Sequence, residues 1–319
     1  MPEHNKNVWG IILAGGEGKR LQSFIRKRYG SNAPKQYCAF TGTRSMLRHT
    51  IDRAEMLIRS GQLITIVSKQ HVRYFQKQLC DRPSGTIIVQ PFNRETGPGF
   101  LYPLLHIYRR DAEATVCLFP SDHFVLNERT FMNHVELASE YVSVDPQSVV
   151  LLGMKPQQGE GEYGWIVTGR QIANSKARQI HSVTRFIEKP DVTTAHDLYN
   201  NGSLWNTMVI IGKAKRLFAL FKIYTPAVYR AFRGIEEALG SSLEAPAVEA
   251  VYSRIPPMNF SHSILAKNPT GLSTLSVEGV YWSDWGNAER IQSDVQRFCS
   301  TDIDAHHYSE CRESMAVAV

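Results

Sequence analysis

The chain has 319 residues, 43% of them hydrophobic and 21% charged, which is the profile of a globular protein and excludes disordered and collagen-like classes. Its formal charge of +6, from 36 Lys and Arg against 30 Asp and Glu, suits an anionic substrate. Nucleic acid would also suit that charge. However, no RNP, zinc-finger or helix-turn-helix signature is present and basic residues are scattered outside 19–35, so nucleic acid is not expected as a partner.

Cys38, Cys80, Cys117, Cys299 and Cys311 are odd in number, widely spaced and free of CxxC pairs, which points to neither a zinc knuckle nor a disulfide framework. No apolar run approaches the roughly 18 residues of a membrane span. Val8–Ala14 is too short for that and does not have the flanks of a signal peptide. A reduced, cytoplasmic location without membrane contact is expected.

In chain order, Val8–Ala14, Leu63–Ser68, Thr86–Gln90, Thr115–Phe119 and Ser148–Gly153 are short apolar runs that predict buried strands. Between them, Ser45–Arg59, Gln70–Leu79, Gly99–Arg109 and Glu128–Tyr141 carry helical spacing. In the first of these, Met46, Leu47, Ile51, Ala54 and Ile58 share one stripe. Alternating strands and helices predict an α/β fold with a mostly parallel sheet flanked by helices, whose ligands sit beyond the carboxyl ends of the strands. The second half is less regular. Strands are expected at Tyr163–Thr168, Ser182–Glu188, Met208–Gly212 and Ser263–Lys267, with helices at Ala214–Phe221 and Ala227–Leu239. No internal repeat is present, and residues 300–319 are expected to form a loose tail.

The first strand runs into Gly15-Gly16-Glu17-Gly18-Lys19-Arg20-Leu21. Three glycines allow close backbone approach to an anion, and Lys19, Arg20 and the downstream Lys35 add positive charge. The loop is not a Walker motif, because Leu13 and Arg20 occupy positions that need Gly and Ser or Thr. It is not a dinucleotide fingerprint either, because Leu21 stands where Gly is needed. Taken alone, it is equally compatible with a plain glycine turn.

The spacing of LAGGEGKRL and PKQ, however, resembles the signature of sugar-1-phosphate nucleotidyltransferases. Six further segments follow in the family's order: Gln90-Pro91-Phe92-Asn93-Arg94-Glu95-Thr96, Pro120-Ser121-Asp122-His123, Tyr163-Gly164-Trp165-Ile166, Phe186-Ile187-Glu188-Lys189-Pro190, Trp205-Asn206 and Trp282-Ser283-Asp284-Trp285-Gly286. The combination is most similar to the mannose-1-phosphate guanylyltransferase branch and covers roughly residues 8–292. The resemblance implies a Rossmann-like nucleotidyltransferase fold over 1–299, with the sugar-binding half from about 155. The cupin-like isomerase extension of bifunctional relatives is not expected.

The implied reaction joins a nucleoside triphosphate, GTP favoured, to a sugar 1-phosphate with magnesium as cofactor. Its nucleophile is already an anion, so positioning and charge compensation replace a general base. The resemblance implies a nucleotide site of Leu13, Ala14, Gly15, Gly16, Gly18, Arg20, Lys35, Gln90, Asn93 and Thr96. Arg20 would hold the leaving pyrophosphate and Lys35 the reacting phosphates. Asp122 and Asp284 would hold magnesium, with His123 a neighbour rather than a ligand. Gly164, Glu188, Lys189 and Asn206 would bind the sugar phosphate. The catalytic residues would be Arg20, Lys35, Asp122 and Lys189.

Three departures from the family pattern stand out. Thr96-Gly97-Pro98-Gly99 replaces TAPA, Thr207-Met208-Val209 replaces Ser-Gly-Met after Trp-Asn, and the basic stretch 22–33 is longer than usual. That stretch reads as either a lid over the triphosphate or a solvated insertion. Trp165, Trp205, Trp282 and Trp285 read as core or pocket wall. A homodimer, another pair such as dTTP or UTP with glucose 1-phosphate, and a non-catalytic nucleotide-sugar-binding paralogue all stay open.

Overall fold

The structure is a computed structural model that describes residues 7–172 and 180–299. The expected tail at 300–319 lies outside the described residues. Strands β1 (Val8–Ala14), β2 (Leu63–Ser68), β3 (Ile87–Gln90), β4 (Thr115–Pro120), β5 (Phe124–Val125), β6 (Val149–Met154), β7 (Gly164–Gln171), β8 (Ile180–Glu188), β9 (Leu204–Lys213), β10 (Leu272–Val277) and β11 (Trp282–Ser283) are joined largely by helices. Nine of them form one sheet in the order β3-β2-β1-β4-β9-β6-β10-β8-β7, and β5 pairs with β11 in a separate ribbon.

Residues 63–68 and 149–154 are buried throughout, as expected of strands covered on both faces. β1, β2, β3 and β4 are mutually parallel, and β6 is parallel to β10. From β9 outward the remaining pairings are antiparallel, so the sheet is mixed and its parallel character belongs chiefly to the first half. One core cluster centres on the helices Thr96–Arg110 and Ala214–Tyr224. Another centres on Met46–Ala54 and Glu128–Val144.

The strand expected at Ser263–Lys267 is absent. That segment comprises the end of a short helix, Phe260–Ser263, and a 3-10 turn, Leu265–Lys267, while the strand lies later, at β10. Asn259 caps the helix through its side chain, which accepts from the His262 amide at 3.0 Å. Ile264 and Leu265 are both fully buried, an adjacent apolar pair that fits neither strand alternation nor one helical face.

The basic stretch 22–33 is largely helical. Gln22–Tyr29 is a helix with Ile25 buried, and Phe24 stacks on Phe40, which meets Trp285 edge-on. Trp165, Trp205, Trp282 and Trp285 are all buried. No described helix is long and apolar enough to cross a membrane.

Candidate active site

The glycine loop begins where β1 ends and is shaped by the segment that follows Pro34. The Gln36 side-chain amide donates to the carbonyls of Ala14 (3.0 Å) and Gly16 (2.7 Å), and the Tyr37 hydroxyl donates to Ala14 (3.1 Å). Gly15 leaves room for the Gln90 amide, which a Cβ there would strike at 2.3 Å. Gly18 adopts φ +62, the left-handed region that glycine enters without steric cost. A Cβ at Gly16 would meet no atom within 4 Å, so packing within the protein does not require glycine at that position. The Leu13 carbonyl accepts from the Ser121 amide, which ties this loop to the end of β4.

Asp122 lies two residues beyond β4, and Asp284 directly follows β11. The β5–β11 ribbon pairs Ser283 with Phe124 and Trp282 with Val125, and this register carries the two aspartates into the same corner. Between them sits Lys35, only 4% exposed. Its ammonium reaches Asp122 Oδ2 at 2.9 Å, the Asp284 carbonyl at 2.5 Å and the Trp285 carbonyl at 3.3 Å. Three acceptors match the three donors of the group.

Asp284 Oδ1 accepts from the Tyr163 hydroxyl (3.0 Å), the Gly286 amide (2.9 Å) and Arg290 Nη1 (2.5 Å). Burial opposes the charge on both carboxyls. Lys35 nevertheless holds Asp122, and Lys35 and Arg290 hold Asp284, below the usual carboxylate range. His123 packs edge-on against Trp282, and burial pushes its imidazole down to about 4, so it stays neutral at physiological pH.

The ammonium thus pairs with the Asp122 carboxylate and the Asp284 backbone, while the Asp284 carboxylate pairs with Arg290 and keeps Oδ2 outside the three bonds that saturate Oδ1. This oxygen donor set fits magnesium, which takes one or two carboxylates and completes its shell with phosphate and water oxygens. Among the described residues no cluster of three or more His, Cys, Asp or Glu forms an all-protein metal cage.

The other expected residues fall into two groups. Gln90 is buried at the end of β3, and its Oε1 accepts weakly from Tyr252 (3.4 Å). Asn93 Oδ1 accepts from the Glu95 amide in an Asx turn (2.9 Å), and the Thr96 hydroxyl accepts from the Phe260 amide (2.8 Å). These side-chain oxygens thus shape the loop itself. Gly97 is explained by Met258, whose carbonyl accepts from the Gly97 amide at 2.8 Å and whose side chain occupies the place of a Cβ. At Gly99 a methyl group would meet only ordinary contacts. Arg20 is 60% exposed at its side chain and 3.6 Å from Glu162.

On the far side, Gly164 pairs with Glu188 across β7 and β8, and a Cβ at Gly164 would press on Glu188 Oε2 and approach Asn206. Gly164, Glu188 and Asn206 therefore converge. Burial raises the Glu188 carboxyl, while Lys189 and His262 pull it back. Lys189 is exposed, with φ +47 and its amide on the Tyr163 carbonyl. Asn206 Oδ1 accepts from the Met208 amide at 3.2 Å, which turns the amide's donor end outward from that bond.

No motif singles out Arg290. It pairs with Asp284 and with Glu160 (2.8 Å) and lies 4.9 Å above the Tyr163 ring. Its only sequence signal is proximity to Asp284 at the start of an amphipathic helix, Ala288–Cys299.

The sequence model of the family described as Nucleotidyl transferase matches residues 9–298. The chain belongs to this family. A mannose-1-phosphate guanylyltransferase of Salmonella montevideo is 29% identical over 283 residues, covering 87% of this chain and 58% of that protein. One from Salmonella typhimurium is 30% identical over 235 residues, covering 72% of this chain and 46% of its own length. The chain thus spans less than two thirds of these relatives. Among solved structures, a protein of Thermus thermophilus described as a mannose-1-phosphate geranyltransferase superposes with TM-score 0.76 at 22% identity, over 93% of this chain and 80% of that one. A UDP-glucose pyrophosphorylase in complex with UDP-glucose gives TM-score 0.56 at 10% identity, over 92% and 98%. At those identities the structures establish the nucleotidyltransferase-type fold.

Proposed function

We propose that this nucleotidyl transferase family member moves the nucleotidyl group of GTP onto mannose 1-phosphate, releasing pyrophosphate, with magnesium as cofactor. The observation that carries the reading is the Asp122–Lys35–Asp284 cluster. It stands between a glycine loop at the end of β1 and the convergent Gly164, Glu188 and Asn206. The names of the guanylyltransferase relatives support the choice of base and sugar.

A sugar phosphate oxygen forms the new bond to the α-phosphorus while the bond from that phosphorus to the bridging oxygen breaks, and pyrophosphate leaves. In this reading, Glu188 and Asn206 orient the sugar, Lys189 offsets the charge of its phosphate, and Arg20 meets the departing pyrophosphate. Lys35 keeps Asp122 and Asp284 together and balances their charge. Magnesium held by these two carboxylates would offset the negative charge of the phosphate oxygens.

A panel of four nucleoside triphosphates crossed with several sugar 1-phosphates tests the assignment. GTP with mannose 1-phosphate should give the highest kcat/KM. A preference above tenfold for dTTP or UTP, about 1.4 kcal/mol in transition-state free energy, would overturn it. In the same assay, Lys189→Ala should raise the KM for sugar phosphate or lower kcat about tenfold or more, and leave the KM for nucleotide nearly unchanged. Impaired nucleotide use with normal sugar phosphate use would remove Lys189 from this role.

A further inference from the structure

Met208 is a non-glycine residue with φ +58 in the middle of strand β9. The register explains how it comes to be there. Ile210 faces Leu151 and Asn206 faces Gly153, so β9 carries two more residues than β6 between the paired positions. The excess is taken up by a bulge, a device that re-aims side chains beside functional sites.

Two side chains hold the bulge. The Thr207 hydroxyl donates to the Leu152 carbonyl at 2.8 Å and accepts from the Val209 amide at 3.2 Å, while Asn206 Oδ1 takes the Met208 amide. The left-handed backbone is thus imposed on a residue that disfavours it. The Met208 thioether is half-buried and accepts from the buried Ser261 hydroxyl at 3.1 Å. Ser261 lies in the helix Phe260–Ser263, which Thr96 fastens to the nucleotide side. The next residue, His262, acts on the charge of Glu188.

We propose that Met208 is a specificity-determining residue for the sugar ring. The bulge sets Met208 next to Asn206, whose side chain takes its amide, so that the thioether would wall the sugar side, and the Ser261 hydroxyl steadies it against the short helix. A polarizable thioether suits the C–H face of a hexose. Its bulk excludes sugar 1-phosphates with a large ring substituent such as an acetamido group. The inference rests on the proposed function and refines its sugar site.

The test compares the unaltered protein with Met208→Ala, Met208→Leu and Met208→Gly, using mannose 1-phosphate and N-acetylglucosamine 1-phosphate as probes. The ratio of kcat/KM for the first over the second should fall at least tenfold in the Ala variant and stay within threefold in the Leu variant. The nucleotide KM should be unchanged in all. Melting supplies an independent reading of the backbone. Inside an ordinary strand Ala is favoured over Gly, but at φ +58 the order should reverse, with the Gly variant melting above the Ala variant. An unmoved ratio in Met208→Ala, or an Ala variant at least as stable as the Gly variant, overturns the proposal. Failure of the unaltered protein to turn over any sugar 1-phosphate would overturn the proposed function and this inference together. Turnover with unmoved ratios overturns only the inference.

Discussion

Replacing Asp122 or Asp284 by asparagine should lower kcat/KM by about 10² to 10³, roughly 3–4 kcal/mol of transition-state stabilisation, without unfolding the protein. Asparagine keeps the shape and an acceptor oxygen, so Asp284→Asn can still take the hydrogen bonds of Tyr163 and Gly286, and Arg290 retains Glu160. What disappears is the charge. If both carboxylates serve one cation, the double variant should be little worse than the poorer single variant, because members of one unit do not contribute additively. Steady-state kinetics across a magnesium titration, with circular dichroism as the folding control, decides the matter. Full activity of Asp284→Asn, or losses in the double variant that simply multiply, would break the shared-site reading.

The second large effect is expected at Lys35, and it is as much structural as kinetic. Lys35→Met keeps the apolar stem but leaves Asp122 without its 2.9 Å cation and the carbonyls of Asp284 and Trp285 without their donor. Breaking a fully buried pair costs about 3–5 kcal/mol. Asp122 is 37% exposed at its side chain, so water recovers part of that. A loss of about 2–3 kcal/mol, or a Tm lowered by roughly 3–5 °C for a chain of 319 residues, is the expected result. Activity at a temperature where the variant is still folded should fall at least a hundredfold, since both aspartates lose their common partner. A Tm within one or two degrees of the parent would show that the ammonium does not organise this corner.

How much of this is legible in the sequence depends on the range over which the determinants act. β1, β2 and β4 are continuous apolar runs, readable locally because burial on both faces leaves no alternation to interpret. β10 escapes such a reading, and 263–267 looks more like a strand than it does. In LSTLSV the serines and threonine are mostly buried, and Thr274 and Ser273 bond to Leu151 and Ser148, partners over a hundred residues away.

The same holds for the site. The order of the motifs locates Asp122, Asp284, Glu188 and Asn206 in the sequence, since each follows, ends or enters a strand. Local sequence does not show that Asn93 and Thr96 spend their side-chain oxygens on loop and helix amides. Nor does it show that Lys35 gives two of its three donors to carbonyls 249 and 250 residues further on. Arg290 belongs to no motif, and its importance rests wholly on the three groups that the fold brings around it.

The Lys35 contacts also have a consequence for the order in which the molecule is made. The ammonium belongs to an early part of the chain, its carboxylate partner to the middle, and its two carbonyl partners to residues 284 and 285. A nascent chain emerging from the ribosome can bring out β1, β2, β3 and β4 and the glycine loop before the β11 segment is synthesised. Lys35 must wait, holding at most one of its three acceptors, until the β11 segment emerges and pairs with β5. A partly made molecule can therefore possess the glycine loop but not the finished charge cluster, and the corner closes only when the β11 segment is laid over it.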